Sequence, residues 1–264
     1  MPKVIKKIAI SALTTIYLSF SMTSVLANPA AEAYEKNGEY DLAVFQYKLD
    51  AMTEKENAPL HNKIGSLLYK LQKYNEAMSY FKQAIEIDNS KSGYYYNVGM
   101  TYNTLSRDKD AYKAFKQAIS LDPNQEKYHH RLGNLLYKNT KYKDAITEYS
   151  TILKINKKYP QAYYNLGLTY NKLEKYKEAM AYLKKYLQLK PNDSQASNLL
   201  KSVSDKITDI PDELVDSPNN NSEDPFSTDL PNNKDEMSNW TGTAPMMTIQ
   251  SDKNKKSDSK DTVD

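Results

Sequence analysis

Small, apolar and aromatic positions return along this chain at one fixed interval. Gly65, Gly99, Gly133 and Gly167 form one ladder, and Ala43, Ala77, Ala111, Ala145 and Ala179 form a second, every step being 34 residues. A third ladder is large, at Tyr47, Phe81, Phe115, Tyr149 and Leu183; a fourth runs through Tyr34, Leu68, Tyr102, Leu136 and Tyr170. Four ladders in one register are the mark of a repeated supersecondary unit. The breaks between them predict helix pairs at 29–37 and 40–54, 58–71 and 74–87, 92–105 and 108–121, 126–139 and 142–155, and 160–173 and 176–189. Asp88-Asn89, Asp122-Pro123-Asn124 and Lys190-Pro191-Asn192-Asp193 supply the turns between pairs.

Glycine inside a helix costs about 1 kcal/mol relative to alanine, so four at one spacing require a compensating gain. Close backbone approach supplies it. Each glycine lies on a first helix and each ladder alanine on a second, so bulk is expected to be missing from both sides of the crossing, with larger rings sealing the neighbouring levels. One block cannot bury its own apolar face, and stacking against neighbours completes the core. Ala196, Leu199, Leu200, Val203 and Ile207 then continue at helical spacing with polar residues between them, which reads as a cap helix over 194–207. The first block departs from the pattern, with Ala31 in the glycine slot and Asp50 where later blocks have Ala84 and Ala118. A terminal block with one face to water is expected to be atypical.

These ladders resemble the tetratricopeptide repeat (TPR), whose aromatic, Leu-Gly, Tyr, Ala, Phe, Ala and Pro positions are matched by Tyr163, Leu166-Gly167, Tyr170 and Ala179, and by Phe115, Ala118 and Pro123. The resemblance implies an all-α TPR α-solenoid, a right-handed superhelix of antiparallel helix pairs. Five repeats are expected, at 28–57, 58–91, 92–125, 126–159 and 160–193, followed by the cap helix.

The flanks read differently. Residues 1–27 begin with Lys3, Lys6 and Lys7, continue as an uncharged stretch rich in Ser and Thr, and end Val25-Leu26-Ala27, the order of a secretory signal peptide cut after Ala27. The alternative is an uncleaved anchor in the inner membrane. Either puts the remainder outside the cytoplasm, periplasmic or secreted in a bacterium. Residues 208–264 turn to Asp, Asn, Ser and Pro without apolar periodicity and read as a disordered acidic tail. Residues 28–207 carry 28 Lys and Arg against 20 Asp and Glu, and 208–264 carry 5 against 13, so charges of +8 and −8 face each other along one chain. Docking of the tail on the basic repeats is one reading of that polarity and a plain solvated extension is the other. Asn239-Trp240-Thr241 matches a glycosylation acceptor by its three residues alone.

Composition narrows the chemistry. With no cysteine, three histidines and seven glycines against 23 tyrosines, disulfide frameworks, thiolate metal sites and phosphate-cradling loops lack their residues. His129 and His130 are adjacent and point to different sides of a helix, while His61 lies two repeats before His129 in the same aromatic slot; all three read as packing or groove residues. No catalytic residue, metal site or cofactor is expected. Nucleic acid is disfavoured as a partner by export and by the competing acidic tail.

In the resembled family the first helix of each pair lines a concave groove. Carrying that register over selects Asn62, Ser66, Tyr69 and Lys70; Tyr96, Met100 and Asn103; Lys127, His130, Asn134, Tyr137 and Lys138; and Gln161, Tyr164, Leu168, Asn171 and Lys172. A cationic wall interleaved with Tyr suits an extended peptide bearing carboxylates, and a merely solvated face in a Lys-rich chain is the bland alternative. Some members of the family clamp a peptide's carboxylates with five side chains. Asn97, Lys127 and Arg131 match three of them, while Asn62 and Ser66 replace the Lys and Asn that hold the terminal carboxylate. The chain itself ends Asp261-Thr262-Val263-Asp264, similar to the acidic ends such clamps bind. The expected function is an exported, non-enzymatic adaptor or assembly factor that binds a protein or peptide of acidic character. A membrane-anchored scaffold, or an accessory subunit of an envelope enzyme complex, is the alternative.

Overall fold

Each run bounded by the ladders folds as a helix. The computed structural model describes residues 29–208, and among them there is no strand. The helices pair as α1 (Pro29–Asn37) with α2 (Tyr40–Thr53), α3 (Ala58–Lys70) with α4 (Tyr74–Ile87), α5 (Ser92–Thr104) with α6 (Asp108–Leu121), α7 (Glu126–Lys138) with α8 (Tyr142–Ile155) and α9 (Pro160–Lys172) with α10 (Tyr176–Leu189); α11 (Ser194–Thr208) follows. Boundaries fall within one residue of those expected. Thr208, assigned above to the tail, is instead the last residue of α11. The signal segment at 1–27, the rest of the tail, the Asn239 acceptor and the acidic terminus lie outside the described residues.

The turn inside each pair uses one geometry. Gly38, Gln72, Ser106, Thr140 and Glu174 have φ between 56° and 81° and stand 34 residues apart. Each follows the end of a first helix, where a left-handed residue lets its own N–H and the next one return to the last turn. Thr140 N–H donates to the Tyr137 carbonyl at 3.0 Å and Lys141 N–H to the Leu136 carbonyl at 2.9 Å; Gln72 with Lys73, Ser106 with Arg107 and Glu174 with Lys175 repeat the arrangement. The second residue of each couple also starts the next helix, since its carbonyl accepts the first helical bond, as Lys141 does from Ala145. Two residues therefore close one helix and open the next, which holds each pair antiparallel.

Rings sit directly on the glycines. A Cβ built on Gly133 would lie 2.6 Å from Tyr149 Cε1; one on Gly65 or Gly99 would strike the rings of Phe81 or Phe115 at 2.6–2.7 Å, and one on Gly167 would strike Leu183 Cγ at 2.7 Å. This corrects the expectation that the rings seal only neighbouring levels. The large side chain, sixteen residues after the glycine, fills the space its missing side chain leaves. The ladder alanine lies beneath, with the Ala77 carbonyl 3.2 Å from the Gly65 position. Phe81, Phe115, Tyr149 and Leu183 are among the largest fully buried side chains.

The described helices form two compact units divided after Asn89. In the first, α1 packs on α2, α2 on α3 and α3 on α4. In the second, the pairs α5–α6, α7–α8 and α9–α10 are joined through α6–α7 and α8–α9, and α11 covers α10 with Val203 in contact with Ala179 and Leu183. Asp193 ties down the start of α11: its Oδ1 accepts the Ala196 N–H at 3.0 Å and its Oδ2 the Tyr186 hydroxyl at 2.6 Å. That hydrogen bond, with burial, pushes the Tyr186 phenol up to about 12.

Two substitutions in the block of α7 and α8 are expected to act in opposite directions. Gly133→Ala should destabilise by about 1–3 kcal/mol, because the added methyl displaces a buried ring. Thr140→Gly should stabilise by about 1 kcal/mol, since a β-branched residue in the left-handed region is strained. Urea unfolding of both variants checks this, and equal midpoints would refute the glycine–ring account.

Candidate peptide-binding face

Helix register decides which sequence-selected side chains reach solvent together. In the second unit, Tyr96 of α5 packs on Phe115 at 6.1 Å and on Tyr128 of α7 at 5.1 Å, while Ser92 Oγ lies 3.0 Å from the Tyr128 hydroxyl. Lys127, exposed, places Nζ 5.5 Å from the Tyr96 ring and 5.3 Å from that of Tyr128. Two rings thus brace one ammonium group. Arg131 is exposed one turn further along the helix. His130 is half-buried between the rings of Tyr149 at 6.4 Å and Tyr159 at 5.9 Å. Burial and then the Arg131 charge lower its pKa, which leaves the imidazole neutral at pH 7. Burial and Glu126 raise the Tyr159 phenol while Arg131 opposes them, so Tyr159, Glu126 and Arg131 share one rim.

Behind this rim lies an amide network. The Tyr149 hydroxyl donates to Asn134 Oδ1 at 2.8 Å, and Asn165 Nδ2 donates to the same oxygen at 3.1 Å. Burial drives the Tyr149 phenol well above its ordinary range, so it remains a donor at any physiological pH. Asn134 is thereby fixed between α8 and α9, and the ring that fills the Gly133 space also orients a groove amide. Tyr164 is half-buried and packs on Tyr186 at 5.1 Å.

Other selected residues are committed elsewhere. Tyr137 packs edge-on against Tyr142 at 5.4 Å, and Tyr69 against Tyr74 at 5.2 Å, so these rings brace the turns within their pairs. Lys138 donates to Asp108 at 3.0 Å, and Lys70 lies over the Tyr40 ring at 4.8 Å; each reaches back to the preceding pair rather than standing free. Asn62 is half-buried on α3 in the first unit, as is Tyr69, and Asn97 is half-buried on α5 in the second. The residues that come together as one face are Tyr96, Lys127, His130, Arg131, Asn134 and Tyr164. Asn165, Tyr159 and Glu126 belong to it too and were not selected, and Glu126 puts an acid at a rim expected to have almost none. Asn165 was findable, because it shares the 34-residue slot of Asn97 and Arg131.

The interior of the second unit also holds a charged pair. His129 Nδ1 lies 2.7 Å from Glu148 Oε2 and its Nε2 lies 2.9 Å from the Pro123 carbonyl. Two acceptors require both nitrogens to carry protons. Burial alone would lower this pKa, but the bonds to Glu148 and Pro123 and the Glu148 charge outweigh it and raise it. Among the described residues no group of three or more His, Asp or Glu is placed to hold a metal ion, and no helix is long and apolar enough to cross a membrane.

Residues 58–91 and 92–125 each match a tetratricopeptide-repeat family model, and residues 130–194 match a second one, together half of the chain. The chain is a tetratricopeptide-repeat protein. Its all-α fold is shared with MamA, 22% identical, with 64% of this chain and 99% of that one covered and a TM-score of 0.60. It is shared with YrrB, described as a TPR protein with an unusual peptide-binding site, at 20% identity, 70% and 97% coverage and a TM-score of 0.59. The pilF protein of Pseudomonas aeruginosa follows at 19% identity, 68% and 83% coverage and a TM-score of 0.56. No curated protein matches the sequence. At these identities the likeness is one of fold, and TPR repeats are a type that typically mediates protein–protein interaction.

A pH-dependent stability follows from the His129–Glu148 pair. The folded pKa of His129 is raised, so the stabilisation is fully present below the unfolded histidine value and is lost as pH rises through the folded value. Glu148→Gln should therefore cost about 1.5–3 kcal/mol near pH 6 and much less at pH 9. Unfolding at the two pH values measures the difference, and a cost independent of pH would show that His129 does not titrate in this pair.

Proposed function

We propose that this TPR protein is an exported, non-enzymatic adaptor or assembly factor that holds an extended, acidic peptide on the face formed by α5, α7 and α9. The observation that carries this reading is the exposed Lys127 braced by the rings of Tyr96 and Tyr128, with a second exposed cation, Arg131, one turn along the same helix. An ammonium group braced by rings and a guanidinium one turn away suit carboxylates through charge-assisted hydrogen bonds, while the half-buried rings of Tyr96 and Tyr159 cover the apolar parts of a peptide. Asn134 and Asn165, fixed by their shared hydrogen bond, offer amides to an extended backbone. The peptide-binding site described for YrrB supports a peptide ligand for this repeat type. The basic, then apolar, then small-x-Ala order of residues 1–27 supports export, with a mature chain beginning at Asn28.

The acidic segment beyond Thr208 is the natural competitor for this face. Effective concentrations of tethered segments reach the millimolar range, so weak contacts are populated. A chain stopped after Thr208 should bind an acidic peptide several-fold more tightly than the full chain at low salt, and the gain should shrink as salt screens both charges. Lys127→Glu with Arg131→Glu should weaken that peptide and abolish the effect of truncation. Titration of full, truncated and charge-reversed chains at two ionic strengths tests both points. Unchanged affinity in the charge-reversed chain would overturn the assignment of this face.

A further inference from the structure

Two blocks carry a histidine in the same slot, and only one has its hydrogen bonds completed. His61 stands two periods before His129, and its Nε2 lies 2.9 Å from the Lys55 carbonyl, Lys55 being the counterpart of Pro123. The counterpart of Glu148 is Tyr80, whose ring stacks on the imidazole at 5.9 Å and cannot take a carboxylate's place. His61 Nδ1 is left without a hydrogen bond, the one buried side-chain nitrogen or oxygen in that condition among the described residues, on a side chain only 7% exposed. A buried polar atom left unpaired bears its full desolvation cost.

His61 lines a cavity of about 470 Å³ within the first unit, together with Lys48, Met52, Lys55, Tyr80 and Glu86. Met52 also ends an apolar stripe on α2. Leu42, Phe45, Leu49 and Met52, at spacings of three and four, are 47%, 58%, 42% and 68% exposed. The same four slots hold Glu76, Ser79, Gln83 and Glu86 in the next block, and Asp110, Lys113, Gln117 and Ser120 in the one after. The first block is therefore apolar on a face that the next two blocks keep polar, and Met52 of that face also lines the cavity, whose charged groups are Lys48, Lys55, Glu56 and Glu86 and whose wall includes the His61 side chain with its unpaired nitrogen.

We propose that this cavity is a second binding site, which takes the carboxylate of an acidic side chain in a partner peptide whose apolar residues cover the α2 stripe. The carboxylate supplies to His61 what Glu148 supplies to His129. Because the Lys55 carbonyl already accepts from Nε2, a carboxylate bonded at Nδ1 pairs with the doubly protonated ring. The charged groups lining the cavity set the balance. Lys48 and Lys55 favour the acid, Glu56 and Glu86 oppose it, and Glu76 is held by Lys48 at 3.1 Å. Lys48 also lies over the Tyr80 ring at 5.5 Å, which keeps its ammonium beside the ring stacked on His61. This site is independent of the face on α5, α7 and α9.

The test uses the full chain and a fluorescein-labelled peptide, Leu-Leu-Glu-Leu-Leu, with its Gln analogue, titrated at pH 6 and pH 8. The Glu peptide should bind at least tenfold more tightly than the Gln peptide at pH 6, with a smaller gap at pH 8. His61→Gln should remove the discrimination. Tyr80→Glu should fill the site from within, abolish binding and raise the melting temperature at pH 6, which also shows that this variant folds. The titrations are made in the chain carrying Lys127→Glu and Arg131→Glu, so that the face on α5, α7 and α9 contributes nothing, and in it Phe45→Lys with Leu49→Lys should weaken both peptides. Equal affinities for the two peptides at pH 6, tighter binding of the Gln peptide as a hydrogen-bond donor, or discrimination that survives His61→Gln would overturn the proposal. Free glutarate competing as strongly as the peptide would remove the α2 stripe from it.

Discussion

The contact between a glycine on the first helix of a pair and a large side chain sixteen residues later on the second is what the rest of this structure depends on. Its geometry leaves no room for a Cβ, so the ring and the helix backbone meet at van der Waals distance. A fixed separation of sixteen then constrains everything between: the remainder of the first helix, a two-residue reversal, and the second helix up to the ring. The left-handed residue belongs to the same constraint, because a slower turn would carry the ring past the glycine. The first block keeps the ring, Tyr47, opposite Ala31 in place of glycine, and there the Tyr47 phenol is pushed up to about 12 by burial and by Glu35. The last full block keeps the glycine and replaces the ring by Leu183. Size at the contact matters more than aromaticity.

Helices and their pairing were legible because they are written in residues that repeat. Turn geometry was less so. Only Gly38 among the five left-handed positions is glycine, and Gln72, Ser106, Thr140 and Glu174 carry no conformational signal in their identity. Their conformation is imposed by the helices on either side and by the two hydrogen bonds each turn closes, which together outweigh the local strain. The role of the rings was misjudged for a related reason. Periodicity identifies which positions are large and which are small, but whether a ring lies on the glycine or one level away depends on the crossing of the two helices.

The candidate face shows the same limit from the other side. Register on the first helices groups Lys127, His130 and Asn134, and the family's clamp adds Arg131, all four carried by one helix. It also brought out Lys138 and Tyr137, whose side chains are held by Asp108 and Tyr142. Those partners sit on other helices, and a register on one helix contains no information about them. Tyr159 lies in a connection and so outside any helical register, although its ring stands next to His130.

In a chain built of similar blocks, packing is carried by the positions that repeat, which makes departures from the period the informative ones. Tyr80 in the slot of Glu148 costs the first unit a hydrogen bond that the second unit makes. Leu42, Phe45, Leu49 and Met52 expose apolar surface where the following blocks present charge and amides. Neither departure improves the packing of the isolated chain: one leaves a buried nitrogen unpaired and the other leaves apolar area in water. Both lie in the same unit and converge on one cavity, and a single acidic, apolar peptide would relieve both costs at once. An unfavourable feature is cheapest to retain where binding removes it, so two such features at one place argue for a ligand there more strongly than either does alone.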